Sequence, residues 1–225
     1  MKENCVEVEA KYLVKADQGW LEMQVLMFFL ENGLVPEHIG TLGSDITLVD
    51  SYYDTLDRFL LKNDLSLRIR QKSGRSFITC KKPYEQNPEQ GRQLERYEWE
   101  TETETREITD GKNAEFIKTC FVDFVTDGLL DINDLRKTVT IKNNRRLLLH
   151  GIAAAHYEVA FDDATYLNEI TGKTFSERQL EIEKRSDETS VEEMQMMIDK
   201  FEAFLGDRIE RCIESKYDRA SRFTS

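Results

Sequence analysis

The chain has 225 residues, room for one large domain or two small ones. Hydrophobic residues make up 40% and aromatics 10%, which supplies a core and excludes global disorder. Lys and Arg number 31 against 43 Asp and Glu, a formal charge of 31 − 43 = −12, so no global basic field exists to draw nucleic acid or an anionic membrane. Any anion bound here must be caught by locally clustered Lys and Arg.

The first residues run straight into a charged alternating stretch without an apolar leader, and the most apolar run, residues 25–30, is too short to span a bilayer. A soluble, cytoplasmic protein is expected. Cys5, Cys80, Cys120 and Cys212 show no CxxC spacing and no zinc-like partnership with His, so reduced, unpaired thiols are expected.

In chain order, residues 6–14 alternate and predict a strand. Asp17 caps a helix running to about residue 30, with Asn32 and Gly33 as its stop. Residues 46–53 and 65–71 predict strands, and Ser73-Gly74 turns the second into a third at 76–82. Residues 83–93 form a polar loop with two prolines, and 94–102 alternate again. Residues 113–130 predict mainly helix; 139–149, 155–161 and 179–185 predict strands. Ser190 and Glu193 have capping-box spacing and open a helix to about residue 205, ending near Gly206. With no linker, repeat or low-complexity tract in view, one domain over 1–225 is the economical organisation. Short connections favour an antiparallel sheet.

The strands sort their charges by face. Glu7, Glu9 and Lys11 share one face against Val6, Val8 and Ala10. Arg68 and Arg70 oppose Leu67 and Ile69; Thr79 and Lys81 oppose Ile78 and Cys80; Arg96, Glu98 and Glu100 oppose Tyr97 and Trp99. Glu158 and Asp162 oppose Val159 and Phe161, and Glu181 and Glu183 oppose Leu180 and Ile182. A single wet sheet face would explain any one strand. The concentration of full charges, with acids and bases segregated by strand, instead suits a closed barrel of roughly eight strands whose charged faces line the lumen and whose apolar outside is covered by helices. Basic rows inside demand an anion and paired carboxylates demand a hard cation. A polyphosphate with Mg²⁺ or Mn²⁺ meets both demands, tripolyphosphate carrying about four to five charges at neutral pH.

At these residues the sequence resembles the CYTH superfamily, the triphosphate tunnel metalloenzymes. Glu7-x-Glu9-x-Lys11 resembles its ExExK signature, Tyr53-Asp54-Thr55 its Y-[YF]-D/E-T element, Leu67-Arg68-Ile69-Arg70 its LRxR strand and Thr79-Cys80-Lys81 its TxK strand. Arg96-Tyr97-Glu98-Trp99-Glu100 resembles RxExE, the 158–162 stretch ExxxD, Glu181-Ile182-Glu183 ExE, and Ser215-Lys216 the closing SK segment. The match is collinear along nearly the whole chain. It implies an α+β fold, an antiparallel eight-stranded closed β-barrel with flanking helices, acting on a triphosphate with a divalent metal. Family activities are inorganic triphosphatase, thiamine triphosphatase, RNA triphosphatase and class IV adenylate cyclase. The 139–149 strand departs from the pattern: Lys142, Arg145 and Arg146 do not form a clean K-x-R, so which of them points inward stays open. The helical insert at 113–130 has no assigned function.

Glu7, Glu9, Glu181 and Glu183 are metal candidates, with Asp162 a weaker one, since four facing carboxylates repel without a cation. Arg68, Arg70, Lys81, Arg96, Arg145 and Lys216 are candidate phosphate ligands. Lys11 is expected to contact phosphate or, with a depressed pKa, to activate water; Glu98 and Glu100 orient the bases or the water. Pairing among these charges alone, or a surface stripe, is the bland alternative. His38, His150 and His156 are read as surface or loop residues, and Met194, Met196 and Met197 as helix packing. The leading function is metal-dependent hydrolysis of a triphosphate, most simply inorganic tripolyphosphate. A class IV adenylate cyclase is the alternative, and a non-catalytic polyphosphate sensor the third reading, disfavoured by the Glu pairs. Expected partners are the small triphosphate alone, with no nucleic acid and no membrane; a homodimer is left open.

Overall fold

The computed structural model describes residues 5–33, 44–84, 94–149, 156–186 and 188–223. His38, His150, residue 155 and most of the proline-containing loop at 83–93 lie outside the described residues. The strands are β1 (Cys5–Val14), β2 (Ser44–Asp54), β3 (Ser66–Lys72), β4 (Arg75–Pro83), β5 (Leu94–Thr103), β6 (Arg136–Leu149), β7 (Tyr157–Asn168), β8 (Thr174–Lys184) and a short β9 (Ile209–Arg211). The helices are α1 (Gln18–Glu31), α2 (Phe59–Lys62), α3 (Gly111–Cys120), α4 (Val122–Thr126), α5 (Val191–Leu205) and α6 (Lys216–Phe223).

Eight antiparallel strands run in the order β5-β4-β3-β2-β6-β7-β8-β1, and β1 pairs with β5 to close the barrel; β9 pairs with the end of β1. The predicted barrel is therefore present. Ser73 (φ 50°) and Gly74 (φ 79°) both take positive φ, as a two-residue hairpin turn requires, and set the register in which Arg68 faces Thr79.

Three apolar clusters fix the wall. Leu21, Val25, Phe28 and Phe29 of α1 and Met194, Ile198 and Phe201 of α5 bury against the outer faces of β1, β7 and β8, through Val8, Ala10, Tyr12, Val159, Phe161, Leu180 and Ile182. Asp17 caps α1 by accepting from Trp20 N at 3.1 Å, and the capping box of Ser190 and Glu193 opens α5, both as predicted. Met194 and Met197 pack in this core, whereas Met196 is exposed. The insert at 113–130 resolves into α3 and α4, which cover Leu67, Ile69, Ile78 and Cys80 on the outside of β3 and β4; Trp99 joins that outer cluster.

The third cluster lies inside. Tyr52, Ile141 and Tyr166 pack with Tyr217 and Ala220 of α6, Tyr52 and Tyr217 stacking at 5.1 Å, so α6 plugs one end of the barrel. Tyr217 donates to Asp54 at 2.8 Å, and Asp54 in turn caps α2 through Leu60 N at 2.8 Å. Neither β9 nor α6 was predicted, and β7 and β8 extend well beyond their predicted bounds. No helix among the described residues is long and apolar enough to cross a membrane.

Candidate active site

The inward faces above the plug enclose a cavity of about 520 Å³. Period-two alternation delivers its lining: Glu7, Glu9 and Lys11 from β1, Arg68 and Arg70 from β3, Lys81 from β4, Arg96, Glu98 and Glu100 from β5, Arg145 from β6, and Glu181 and Glu183 from β8. Lys216, the first residue of α6, enters from the plugged end. Every residue predicted for the site except Asp162 lines this cavity. Alternation along β6 also settles its basic residue. Arg145 faces in, Lys142 is exposed, and Arg146 turns out to Asp45 (2.9 Å) and Glu22 (3.1 Å).

The basic side chains are held by acids in two groups. Asp50 of β2, buried at 1% exposure, takes Arg70 through both oxygens at 2.7 Å and stands 3.7 Å from Arg68. Burial alone would raise the Asp50 carboxyl, but Arg70 and Arg68 outweigh it and hold it at about 2. Arg68 also approaches Glu98 at 3.5 Å, and its buried Nε has no partner. Farther round the barrel, on β7, Asp162 takes Arg145 at 2.8 and 2.7 Å and Lys216 at 2.8 Å. Glu181 pairs with Arg145 and Lys216, and with Lys11 at 3.6 Å. Burial opposes its charge, yet Lys216, Arg145 and Lys11 keep the Glu181 carboxyl well below the usual carboxylate range.

Asp162 is thus set behind the cavity wall with both oxygens engaged, and it does not present a free carboxylate to the lumen. Of the two roles considered for Lys11, its surroundings favour the phosphate contact. Burial would depress its pKa, but Glu9 at 3.0 Å and Glu181 raise it above the ordinary lysine range, which favours the ammonium form and a phosphate contact. Lys81 is raised likewise against burial by Glu7 and Glu98.

The acids crowd at one place. Glu9 of β1, Glu183 of β8 and Glu158 of β7 are direct cross-strand neighbours in one row, and all three line the cavity. Like charges placed opposite one another destabilise a sheet. Burial and then Glu7, with Glu158 and Glu9, push the Glu183 carboxyl up to about 8, against the pull of Arg185 at 3.0 Å. Among the described residues no three acidic, His or Cys side chains yet converge as a ready ligand shell; Lys81, Lys11 and Arg185 occupy these carboxylates.

Sequence reasoning missed Asp50 and Arg185, and it placed Glu158 on the charged inward face without giving it a role. Asp50 alternates with Ile46, Leu48 and Tyr52, so its strand reads as apolar on that face. The hint was the position of Asp50 opposite Arg70 once β2 pairs with β3.

The CYTH domain model matches residues 6–205 of this sequence. The chain belongs to the CYTH family. Solved structures share the CYTH fold along their whole length. A Hippeastrum protein described as an adenylyl cyclase candidate with a dominant triphosphatase activity is 16% identical, with a TM-score of 0.61 and 97% of each chain covered. A Bacillus halodurans protein described as an adenylate cyclase candidate is 17% identical, with a TM-score of 0.54 and 99% of each chain covered. A Pyrococcus horikoshii protein, PH1819, is 19% identical, with a TM-score of 0.53 and 96% of this chain and 99% of its own covered. Among curated proteins, none matches this CYTH chain in sequence.

Proposed function

We propose that this CYTH protein hydrolyses a triphosphate in its barrel, with divalent metal, and that inorganic tripolyphosphate is its preferred substrate. One observation carries the reading: Lys11, Arg68, Arg70, Lys81, Arg96, Arg145 and Lys216 face the same cavity as a row of crowded carboxylates. A ligand with several phosphates takes over the cations, and the acids released from them then need a counter-ion.

The donor set fits a hard cation. Glu7, Glu9, Glu158 and Glu183 would hold it, all oxygen donors and all on neighbouring strands. Mg²⁺ or Mn²⁺ there supplies charge neutralisation on the phosphate oxygens. Glu181, surrounded by Arg145, Lys216 and Lys11, is better placed to orient those cations than to bind metal.

The chain's own contribution is positioning and electrostatics, as suits a loose phosphoryl-transfer transition state. Asp50 and Asp162 are positioning residues; each fixes a pair of cations from behind, Arg68 with Arg70 and Arg145 with Lys216. The fixed guanidinium forks bind phosphoryl oxygens and spread charge as it builds on the leaving phosphate. Glu98, tied to Lys81 (3.5 Å) and Arg68, and Glu100, accepting from Thr79 at 3.0 Å, hold the other wall.

A second reading has its own observation. Val6, Ile46, Leu48 and Leu147 give the cavity an apolar stretch that bare tripolyphosphate does not need. It favours a triphosphate carrying an organic group, as an adenylate cyclase would take. A panel of tripolyphosphate, thiamine triphosphate and ATP with Mg²⁺ or Mn²⁺ separates the two. Phosphate release, fastest from tripolyphosphate, is expected; cyclic AMP with pyrophosphate as the main products from ATP would overturn the hydrolase reading.

A further inference from the structure

α1 is apolar on both of its faces. Leu21, Val25, Phe28 and Phe29 bury against the barrel and α5. Trp20, Met23, Met27 and Leu30 lie on the other side and stay exposed, Met23 to 55% and Trp20 to 41%. These four are spaced three, four and three residues apart, so they form one stripe about 15 Å long. Phe204 of α5, stacked 5.6 Å from Phe28, exposes its edge beside them. Single exposed apolar residues are ordinary, but a helix apolar all round is normally a covered one, and a contiguous apolar patch marks a contact surface. The ends of the stripe differ in charge. Arg208 stands over the Trp20 ring at 4.8 Å, and Glu31 follows Leu30. Both are exposed, and neither has an ion-pair partner among the described residues.

We propose that the outer stripe of α1 is a dimer seam, covered by α1 of a second copy of this chain packed antiparallel to it. The three-four-three spacing is that of a coiled-coil seam, in which side chains of one helix enter the gaps of the other. A two-fold axis at the middle of the stripe sets Met23 of each copy against Met27 of the other, and Trp20 against Leu30. Each contact then occurs twice, as a self-complementary interface requires. The flexible Met pairs fill the centre of the seam. The same axis brings Arg208 of each copy to Glu31 of the other, so an ion pair closes the rim at both ends. A parallel pairing would set Arg208 beside Arg208 and Glu31 beside Glu31, like charge on like. A lipid surface fits less well: α1 contains no Lys or Arg to flank its apolar face, and the chain carries a charge of −12.

The test is equilibrium ultracentrifugation of the full chain, with circular dichroism to confirm that each variant is folded. Wild type is expected to be dimeric at micromolar concentration. M23E and M27E place carboxylates at the centre of the seam and should raise the dimer Kd about tenfold or more. E31R and R208E should each weaken the dimer, and the E31R/R208E double variant should recover it to within about threefold of wild type, a coupling that only residues in contact show. A wild type that stays monomeric overturns the proposal, as does a dimer that M23E and M27E leave unchanged. Absence of recovery in the double variant overturns the antiparallel pairing. A monomeric wild type that sediments with phosphatidylcholine vesicles, and no longer does so as M23E, gives the stripe to a lipid surface instead.

Discussion

Asp50 receives the Arg70 guanidinium on both oxygens at 2.7 Å while standing 3.7 Å from Arg68, so one buried carboxylate aims two arginines at the lumen. Asp50→Asn should therefore cost roughly 3 kcal/mol or more, because it leaves charge unpaired in a buried setting. In steady-state kinetics it should raise KM for tripolyphosphate as the forks lose their aim. Denaturant unfolding also reports the titration. The Asp50 pKa falls from 3.8 to about 2 on folding, so its contribution is present above pH 3.8 and is lost as pH drops toward 2. The stability gap between wild type and D50N should shrink across that window; a gap constant from pH 5 to pH 2 would contradict this account.

The row of Glu9, Glu183 and Glu158 leads to a prediction with two opposite signs. Burial beside Glu7, Glu158 and Glu9 raises the Glu183 carboxyl from 4.5 to about 8, so above pH 4.5 folding must protonate it or bear the repulsion; Glu183→Gln removes that cost, and the metal-free protein should melt at a higher temperature at neutral pH. The same change removes an oxygen anion from the proposed cation site, so the Mg²⁺ or Mn²⁺ concentration for half-maximal activity should rise several-fold. Full activity in excess EDTA, or an unchanged metal requirement in E183Q, would count against the site.

At the outer wall, Ser190 accepts from Glu193 N at 3.1 Å and Glu193 accepts from Ser190 N at 2.8 Å. Ser190→Ala should cost about 1 kcal/mol and lower Tm by about 2–4 °C. KM should not move, since α5 touches the barrel only from outside. A changed KM would mean that α5 communicates with the lumen.

Much of the site was legible because inward and outward residues differ so sharply in charge. Glu7, Glu9 and Lys11 are unmistakable against Val8 and Ala10, and the same contrast placed Arg68, Arg70 and Lys81. Where the inward face is apolar the signal fades. Asp50 hides between Leu48 and Tyr52, so only strand pairing reveals it. The late part of β7 and the early part of β8 were missed because outward Asp163, Thr165, Ser176 and Arg178 are solvated and give no apolar stripe; their turn is set by Asn168, which accepts from Ile170 N at 2.8 Å. α6 has few apolar residues and β9 only three residues, and both depend on the barrel they close or edge rather than on local pattern. Lys11 shows a different limit: its alternation was read correctly, but its protonation follows from Glu9 and Glu181, which meet it only in the folded barrel.

Arg68 separates a phosphate-reading enzyme from a nucleoside-reading one. It lies on the inward face of β3, held by Asp50 and Glu98, with its Nε buried and unpartnered. Arg68→Ala should lower kcat/KM for tripolyphosphate and for ATP by a similar factor, of order 10²-fold or more if the fork contacts phosphate in the transition state. On the proposed reading the charged cavity groups address phosphate or metal, which leaves Val6, Ile46, Leu48, Tyr52 and Leu147 of the lining to meet a base. Binding energy from adenosine is therefore expected to be small, and a nucleoside should add little to transition-state stabilisation. With Mn²⁺, phosphate release from ATP should exceed cyclic AMP production, and tripolyphosphate should be turned over faster than ATP. Enlarging the apolar wall's contact by Leu147→Phe should then change ATP turnover while leaving tripolyphosphate within about twofold. If R68A spares ATP, or if L147F depresses both substrates alike, the triphosphate is not read along the wall described here, and the cyclase reading gains the ground the hydrolase loses.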